Sequence, residues 1–469
     1  MAYTTHNTTR TEQAIDFAPL MMSMRGRVIL PADPDFDEAR KIYNGMIDRH
    51  PAAIAMCEDA ADVIAAVNFA RDAGVLVSVR SGGHSAPGLC LCDGGLVIDV
   101  SHLDGIRVDP DARTVRVGPG CTLGDMDHAT HVFGLATPSG IFSSTGVGGI
   151  SLGGGTGYLT RTFGLAIDNL LEADVVLANG AFVTCSKDRN QDLFWAIRGG
   201  GGNFGIVTSF VFRLHPVDMV YGGPMIWPME DSTQILRWFK NFIAEAPDEV
   251  SGFLAYMTIP PAEPFPPEMF GRRAVAIIWC SILQGEDAAG VFAEIRNVLP
   301  TPVVDWAQPM PYPALQSMFD PMMPPGLQWY WKTELFEDLP DDAIAKETEF
   351  GNAMPIGLTS MHLYPINGAA SRVPSDATAW PFRNATWNEV MVGVTDNPNE
   401  VETVKRWARD FWDGMHPYST GGSYVNMMMQ EGDEKVRASY GKNYERLAQI
   451  KRTYDPDNFF RMNQNIKPA

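Results

Sequence analysis

Residues 75–85 read Val-Leu-Val-Ser-Val-Arg-Ser-Gly-Gly-His-Ser. Val75 to Arg80 is a short, nearly continuous apolar run, which reads as a buried strand. The chain then turns, at that strand's C-terminal end, through consecutive small residues. Such a turn can aim several backbone N–H groups at one anion, the nest geometry that cradles phosphates. Arg80 adds charge there or closes a salt bridge. Standing alone, the segment also reads as a tight turn with an incidental histidine.

A second stretch bears on the same question. Residues 145–158, Thr-Gly-Val-Gly-Gly-Ile-Ser-Leu-Gly-Gly-Gly-Thr-Gly-Tyr, hold seven glycines. A path without side chains lets backbone touch a large flat ligand. Alone the run also reads as a flexible linker, but its apolar flanks argue for order. The chain has 44 glycines, and they bunch between positions 82 and 205. Backbone there passes close to something.

Outward from these motifs the pattern is strand, helix, strand, strand. Residues 52–57 are a short apolar run. Asp59 caps a helix, with Asp62 completing a capping box. Val63, Ala66, Val67 and Ala70 share one face of that helix, and Gly74 ends it. Residues 96–101 and 114–120 read as strands, and Leu123 to Phe133 as a helix. Asn179-Gly180 between two β runs predicts a hairpin over 173–186 with a type I′ turn. A helix over 191–198 and a strand over 206–214 follow, and His215-Pro216 closes the region. Between 217 and 415 the chain is Pro- and Trp-rich, with strands among helices such as Asp341 to Glu349. Residues 424–429 read as a strand leading into one long helix over 432–454. Val436, Tyr440, Tyr444, Leu447 and Tyr454 form its stripe.

Three patterns point elsewhere and are set aside. Gly200-x-Gly202-x-x-Gly205 matches the dinucleotide fingerprint, but the order is helix, glycines, strand, which is the reverse of a Rossmann site. Gly149-Ile150-Ser151-Leu152-Gly153 matches the nucleophile elbow of serine hydrolases. A helix beginning with three glycines is costly, so none is predicted at Ser151. That hydrolase reading stays as a remote alternative. His128-x-x-His131 has metal-like spacing but no evident third ligand, so no metal is expected.

The 469 residues point to two or three domains. A net charge of −20 disfavours nucleic acid and anionic lipid as partners. No apolar run reaches membrane-spanning length, and the polar opening has no signal pattern, so the expected location is cytoplasmic. The six cysteines form no CxxC pair. Cys90 and Cys92 read as two small apolar residues on one strand face.

The chain resembles the FAD-linked oxidases of the vanillyl-alcohol-oxidase (PCMH-type) superfamily, in the berberine-bridge-enzyme-like branch. The matching stretches are VRSGGHS (79–85), TGVGGISLGGGTGYLTRTFGLAIDNL (145–170), LFWAIRGGGGNFGIVTSF (193–210), NGAASRVPSDATAWPFR (367–383), YVN (424–426) and YDPDNFFRMNQNIKP (454–468). The resemblance implies an α+β fold: an FAD-binding domain over 1–216, with its PCMH-type core at about 48–216, and a substrate domain of antiparallel sheet plus helices over 217–417. Residues 418–469 would return to the FAD domain.

The resemblance also implies site residues. His84 would carry FAD covalently. Relatives often add a second bond from a cysteine four residues before GVGG; Phe142 stands there, so one link is expected. Arg80, Ser81, Gly82, Gly83, His84 and Ser85 would form the pyrophosphate loop. Thr145, Gly146, Gly149, Gly154, Gly155 and Tyr158 would line the adenosine and ring, with Ile206 and Val207 at the adenine half. Asn463 and Asn465 would bond the flavin or anchor the tail. Tyr424, beside Asn426 on one strand face, would be the catalytic base, or else a packed core tyrosine.

The implied reaction takes hydride from an alcohol, amine or activated C–H of a small molecule, with O2 as acceptor and a monomer or homodimer as the working unit. An oligosaccharide oxidase is the alternative, and a non-catalytic ligand-binding protein stays open. In Gln328-Trp329-Tyr330-Trp331-Lys332, alternation separates the tryptophans from Tyr330 and Lys332. Tyr330, Lys332, Trp380 and Phe382 are the expected pocket residues.

Overall fold

The computed structural model describes residues 15–263 and 265–469. The polar opening lies outside the described residues. Val77–Arg80 is the edge of a four-stranded sheet ordered Val28–Ile29, Ala53–Met56, Leu96–Asp99, Val77–Arg80. The last three strands run parallel, which demands a crossover. The helix Ala60–Asp72 supplies it, burying Val63, Ala66, Val67 and Ala70. Asp59 caps this helix by accepting from the N–H groups of Ala61 and Asp62. The capping box does not form, because Asp62 instead accepts from Arg25, Gly26 and Glu58 N–H.

A five-stranded antiparallel sheet follows, ordered Ile106–Asp109, Thr114–Val117, Ile206–Arg213, Leu170–Val176, Phe182–Ser186. The expected hairpin is there with a different turn. Gly180 N–H donates to Leu177 O, and of the central pair only Gly180 has positive φ, +79°. The turn is therefore not type I′, which needs two such residues.

The third sheet belongs to the Trp-rich middle of the chain. Its path is Val304–Asp305, Met219–Pro228, Arg273–Ser281, Val250–Thr258, Ser360–Pro365, Trp387–Thr395, Gln328–Phe336, all antiparallel, with Gln308–Pro311 also paired to Met219–Pro228. Helices Ser232–Glu245, Gly285–Val298, Asp341–Ala353 and Val401–Met415 bury Phe239, Phe292, Ile344 and Phe411 against one face, around Trp279, Trp387 and Tyr256. Each buried aromatic of this kind is worth roughly 1.5–3 kcal/mol. The other face turns to the first lobe. The architecture is the α+β arrangement expected.

Four further local expectations fail. Residues 424–429 form no strand; Val425–Met427 is a 3-10 turn. The long helix is two helices, Asp433–Tyr440 and Tyr444–Tyr454, broken where Gly441 takes φ +49°. Val147–Gly153 is helical in spite of its glycines. Tight neighbours override propensity there: a Cβ on Gly153 would sit 2.0 Å from Asn426 Oδ1. Cys90 and Cys92 also lie in a loop rather than on a strand. No helix among the described residues is long and apolar enough to cross a membrane.

On the helix side of the large sheet, Glu347 and Glu389 face each other fully buried, and their four carboxyl oxygens have no hydrogen-bond partner. Burial holds both carboxyls above their ordinary range, and the neighbouring Glu347 raises Glu389 further. The folded pair keeps protons that the unfolded chain has released, so its stability contribution is full below the ordinary Glu value of about 4.3 and is lost as pH rises through the raised values. Glu389→Gln removes that loss from one partner. Thermal denaturation should show the variant gaining on the parent between pH 5 and pH 8; a constant Tm difference would refute the description of buried, protonated carboxyls.

Candidate active site

Between the lobes lies a cavity of about 340 Å³. One wall is the turn Ser81–Ser85; opposite it stand Trp329, Trp331, Ser360, His362 and Tyr364 from the large sheet. Gly201, Gly202, Ile206 and Val207 close one end, and Tyr424–Met427 with Met462–Gln464 complete the side. No ionised side chain stands among the described residues of this wall.

Two loops meet here backbone to backbone. A Cβ on Gly82 would lie 2.6 Å from Gly146 Cα, and one on Gly146 would lie 2.5 Å from Gly82 N. No side chain fits at either position. The N–H groups of Gly82, Gly83, His84 and Ser85 have no backbone acceptor, and all four residues line the cavity. A phosphate-bearing ligand would find its donors there rather than on a cation.

His84 stacks on Tyr43 at 3.9 Å between centroids, 16° from parallel. Tyr43 is itself held by its hydroxyl, which donates to Met323 O at 2.8 Å. Burial pushes the His84 imidazole down to about 4, only partly opposed by the Ser144 backbone, so the ring is neutral at pH 7. Tyr424 accepts from Gly155 N–H at 2.8 Å and from Asn426 Nδ2 at 2.9 Å. Burial pushes this phenol up to about 12, although those two donors pull the other way.

Residues 51–186 match the FAD binding domain family, and residues 423–467 match the berberine and berberine-like family. A Dictyostelium discoideum FAD-linked oxidoreductase is 31% identical over 452 residues, 95% of each chain. The chain belongs to the berberine-like FAD-linked oxidoreductases. The xylooligosaccharide oxidase of Thermothelomyces thermophilus is 30% identical over 91% of this chain and 89% of its own. The crystal structure of 6-hydroxy-D-nicotine oxidase from Arthrobacter nicotinovorans superposes with a TM-score of 0.85 at 27% identity, covering 96% of this chain and 99% of that one. An elbow serine is excluded structurally as well: Ser151 lies buried inside the helix Val147–Gly153, not on a strand-to-helix turn.

The oxidoreductase's cavity suits FAD. The free N–H groups at 82–85 match a pyrophosphate, and the bare backbone of Gly146, Gly148 and Gly149 on the wall admits a flat ring. The Asn463 Oδ1 has no protein partner and lies on this wall. Of the residues expected from sequence, Ser81, Gly82, Gly83, His84, Ser85, Thr145, Gly146, Gly149, Ile206, Val207, Tyr424, Asn426 and Asn463 line it together. Tyr424 and Asn426 meet through the 3-10 turn rather than a shared strand face.

The others lie elsewhere. Arg80 is engaged inside the sheet, paired with Asp99 and donating to Ala39 O at 2.6 Å, so it is no cavity cation. Gly154 and Gly155 sit behind Tyr424, and a Cβ on Gly154 would touch Trp380 at 2.9 Å. Tyr158 is buried beside Phe253, and Asn465 is off the wall. Trp380 packs edge-on behind Tyr424 at 5.0 Å, and Phe382 packs on Gly422. Tyr330 and Lys332 point to the helix side: Tyr330 accepts from Arg409 Nε at 3.0 Å, and Lys332 pairs with Glu431 at 2.7 Å beneath Trp412. Tyr330 and Lys332 thus lie on the face of their strand away from the cavity, and Trp380 and Phe382 lie off its wall.

The sequence reading missed Tyr43, which no motif marks. It also gave no site role to Gly201 and Gly202, which lie within a fingerprint of another fold, or to His362 and Tyr364, which alternation along Ser360–Pro365 places on the cavity wall with Ser360. His131, at the end of its helix, lies 3.6 Å from Asp218, and no group of metal-ligating side chains occurs among the described residues. Gly146→Ala forces a methyl into the Gly82 backbone. Such overpacking should cost about 1–3 kcal/mol and strip the flavin. Urea denaturation and visible absorbance per chain measure both; an alanine variant with full flavin content would contradict the interlock.

Proposed function

We propose that this oxidoreductase holds FAD through a single covalent bond to His84 and oxidises an alcohol, amine or activated C–H group of a small molecule, with O2 as acceptor. The observation that carries the reading is the state of His84. It lies on the cavity wall, clamped on Tyr43, and burial keeps it neutral. A neutral ring nitrogen is a nucleophile, whereas an imidazolium is not. When bound, the flavin supplies a two-electron acceptor for hydride from a substrate carbon.

Phe142 lines the same cavity and offers no second attachment. Cys90 also reaches the wall, but burial pushes its thiol up to about 11, which leaves almost no thiolate. The chain's own contribution is then placement. Gly82 to Ser85 would hold the pyrophosphate, the glycine path would admit the ring, and Asn463 would bond a ring edge. Tyr424 would take the proton leaving the substrate, its phenolate held by Gly155 N–H and Asn426 Nδ2. The xylooligosaccharide oxidase relative keeps oligosaccharide oxidation as the second reading.

Acid precipitation of the holoenzyme should leave the yellow colour on the chain, and His84→Ala should release it to the supernatant; colour that leaves the parent chain defeats the covalent bond. With Tyr424 at about 12, the ionised form is scarce at neutrality. Anaerobic flavin bleaching by substrate should therefore speed up about tenfold per pH unit between pH 7 and 10. Tyr424→Phe should flatten that slope and slow the reaction. An unaltered slope would remove Tyr424 as the base.

A further inference from the structure

A second chamber of about 440 Å³ opens beyond His362. It shares Ile141, Phe142, Met323, Ser360 and His362 with the cavity at His84, so the two are continuous. Its size falls in the range of small-molecule sites, about 300–1,000 Å³. Phe253, Met257 and Ile278 form the sheet side, and Phe319, Met322 and Leu358 the cover. No charged side chain stands among the described residues that line it.

The polar groups of this chamber are few and unevenly placed. Thr258 Oγ1 already accepts from Gly357 N–H at 3.3 Å. Thr359 Oγ1 donates to Val394 O at 3.0 Å and accepts from Val394 N–H at 3.2 Å. What is left stands at the junction. Ser360 Oγ is buried with no partner. The His362 Nδ1 is taken by Tyr364 Oη at 2.7 Å, and this fixes the ring with its Nε2 edge unclaimed by protein. A ligand thus meets hydrogen-bonding groups at one end of the chamber and hydrocarbon over the rest.

We infer that this chamber seats the carbon skeleton of the substrate, an apolar molecule with a single hydroxyl- or amine-bearing end, and that Ser360 and His362 grip that end at the junction. The inference deepens the proposed oxidation and rests on it for the placement of the reacting end. A sugar ring carries several hydroxyls. Each one buried without a partner costs about tenfold in affinity, so an oligosaccharide is rejected here by unmet hydrogen bonds rather than by size. An aliphatic or alicyclic body gains from leaving water and needs no partner.

The test uses purified holoenzyme with 2-decanone and xylobiose as probes. It reads quenching of tryptophan fluorescence, because Trp329 and Trp331 stand on the adjoining wall, together with the flavin absorbance. Saturable binding of 2-decanone below about 1 mM is expected, with no response to xylobiose at concentrations tenfold higher. Ala255→Phe, which fills the chamber, should weaken the ketone at least tenfold. Leu358→Asp at the half-exposed rim should do the same without loading the sheet. Ser360→Ala should weaken 2-decanone about fivefold. Saturation by xylobiose, or ketone affinity unchanged in both chamber variants, overturns the inference. A parent chain that stays yellow on precipitation yet fails to bind the ketone defeats the chamber alone. A colourless chain that still binds ketone defeats the His84 bond and upholds the chamber.

Discussion

The contact between Gly82 and Gly146 sets the geometry of the site. Two backbones touch where no Cβ fits, so the turn after Val77–Arg80 and the path before Val147–Gly153 share one fixed separation. His84 follows from that contact two residues later, and Gly149 three residues later. The free N–H groups at 82–85 exist because the turn is made against a neighbouring backbone and not against a strand. A charged side chain would have held an anion less selectively and would itself have needed a buried partner. Arg80 shows that choice: its charge stays in the sheet, neutralised by Asp99.

The second organising element is the large sheet, whose faces have unrelated surroundings. Trp279, Trp387, Tyr256 and the carboxyl pair Glu347–Glu389 lie under helices. Trp329, Trp331, His362 and Tyr364 line the cavity. A strand can serve both because its side chains alternate, and register is held by antiparallel pairing along the full Gln328–Phe336 and Trp387–Thr395 ladder.

That alternation marks where the sequence was legible and where it was not. VLVSVR, the Asp59 cap and the Asn179-Gly180 hairpin are local signals, and local physics reads them. So is the alternation of residues 328–332. Which face meets the cavity is a property of the partner lobe, so alternation alone does not show that Tyr330 and Lys332 lie on the helix side. Tyr424 and Asn426 look like strand neighbours, yet a 3-10 turn brings them together, because Asn426 must reach Ile150 O across the glycine helix. Tyr43 was invisible for the same reason. Its role is set by His84, 41 residues away in the chain, and nothing in its own neighbourhood announces it.

A two-faced sheet also separates two kinds of evolutionary freedom. Replacements at Trp331, Ser360 or His362 alter what can enter without disturbing the helices that anchor the same strands from behind. A lineage built on this scaffold can change its diet while its folding core stays as it was.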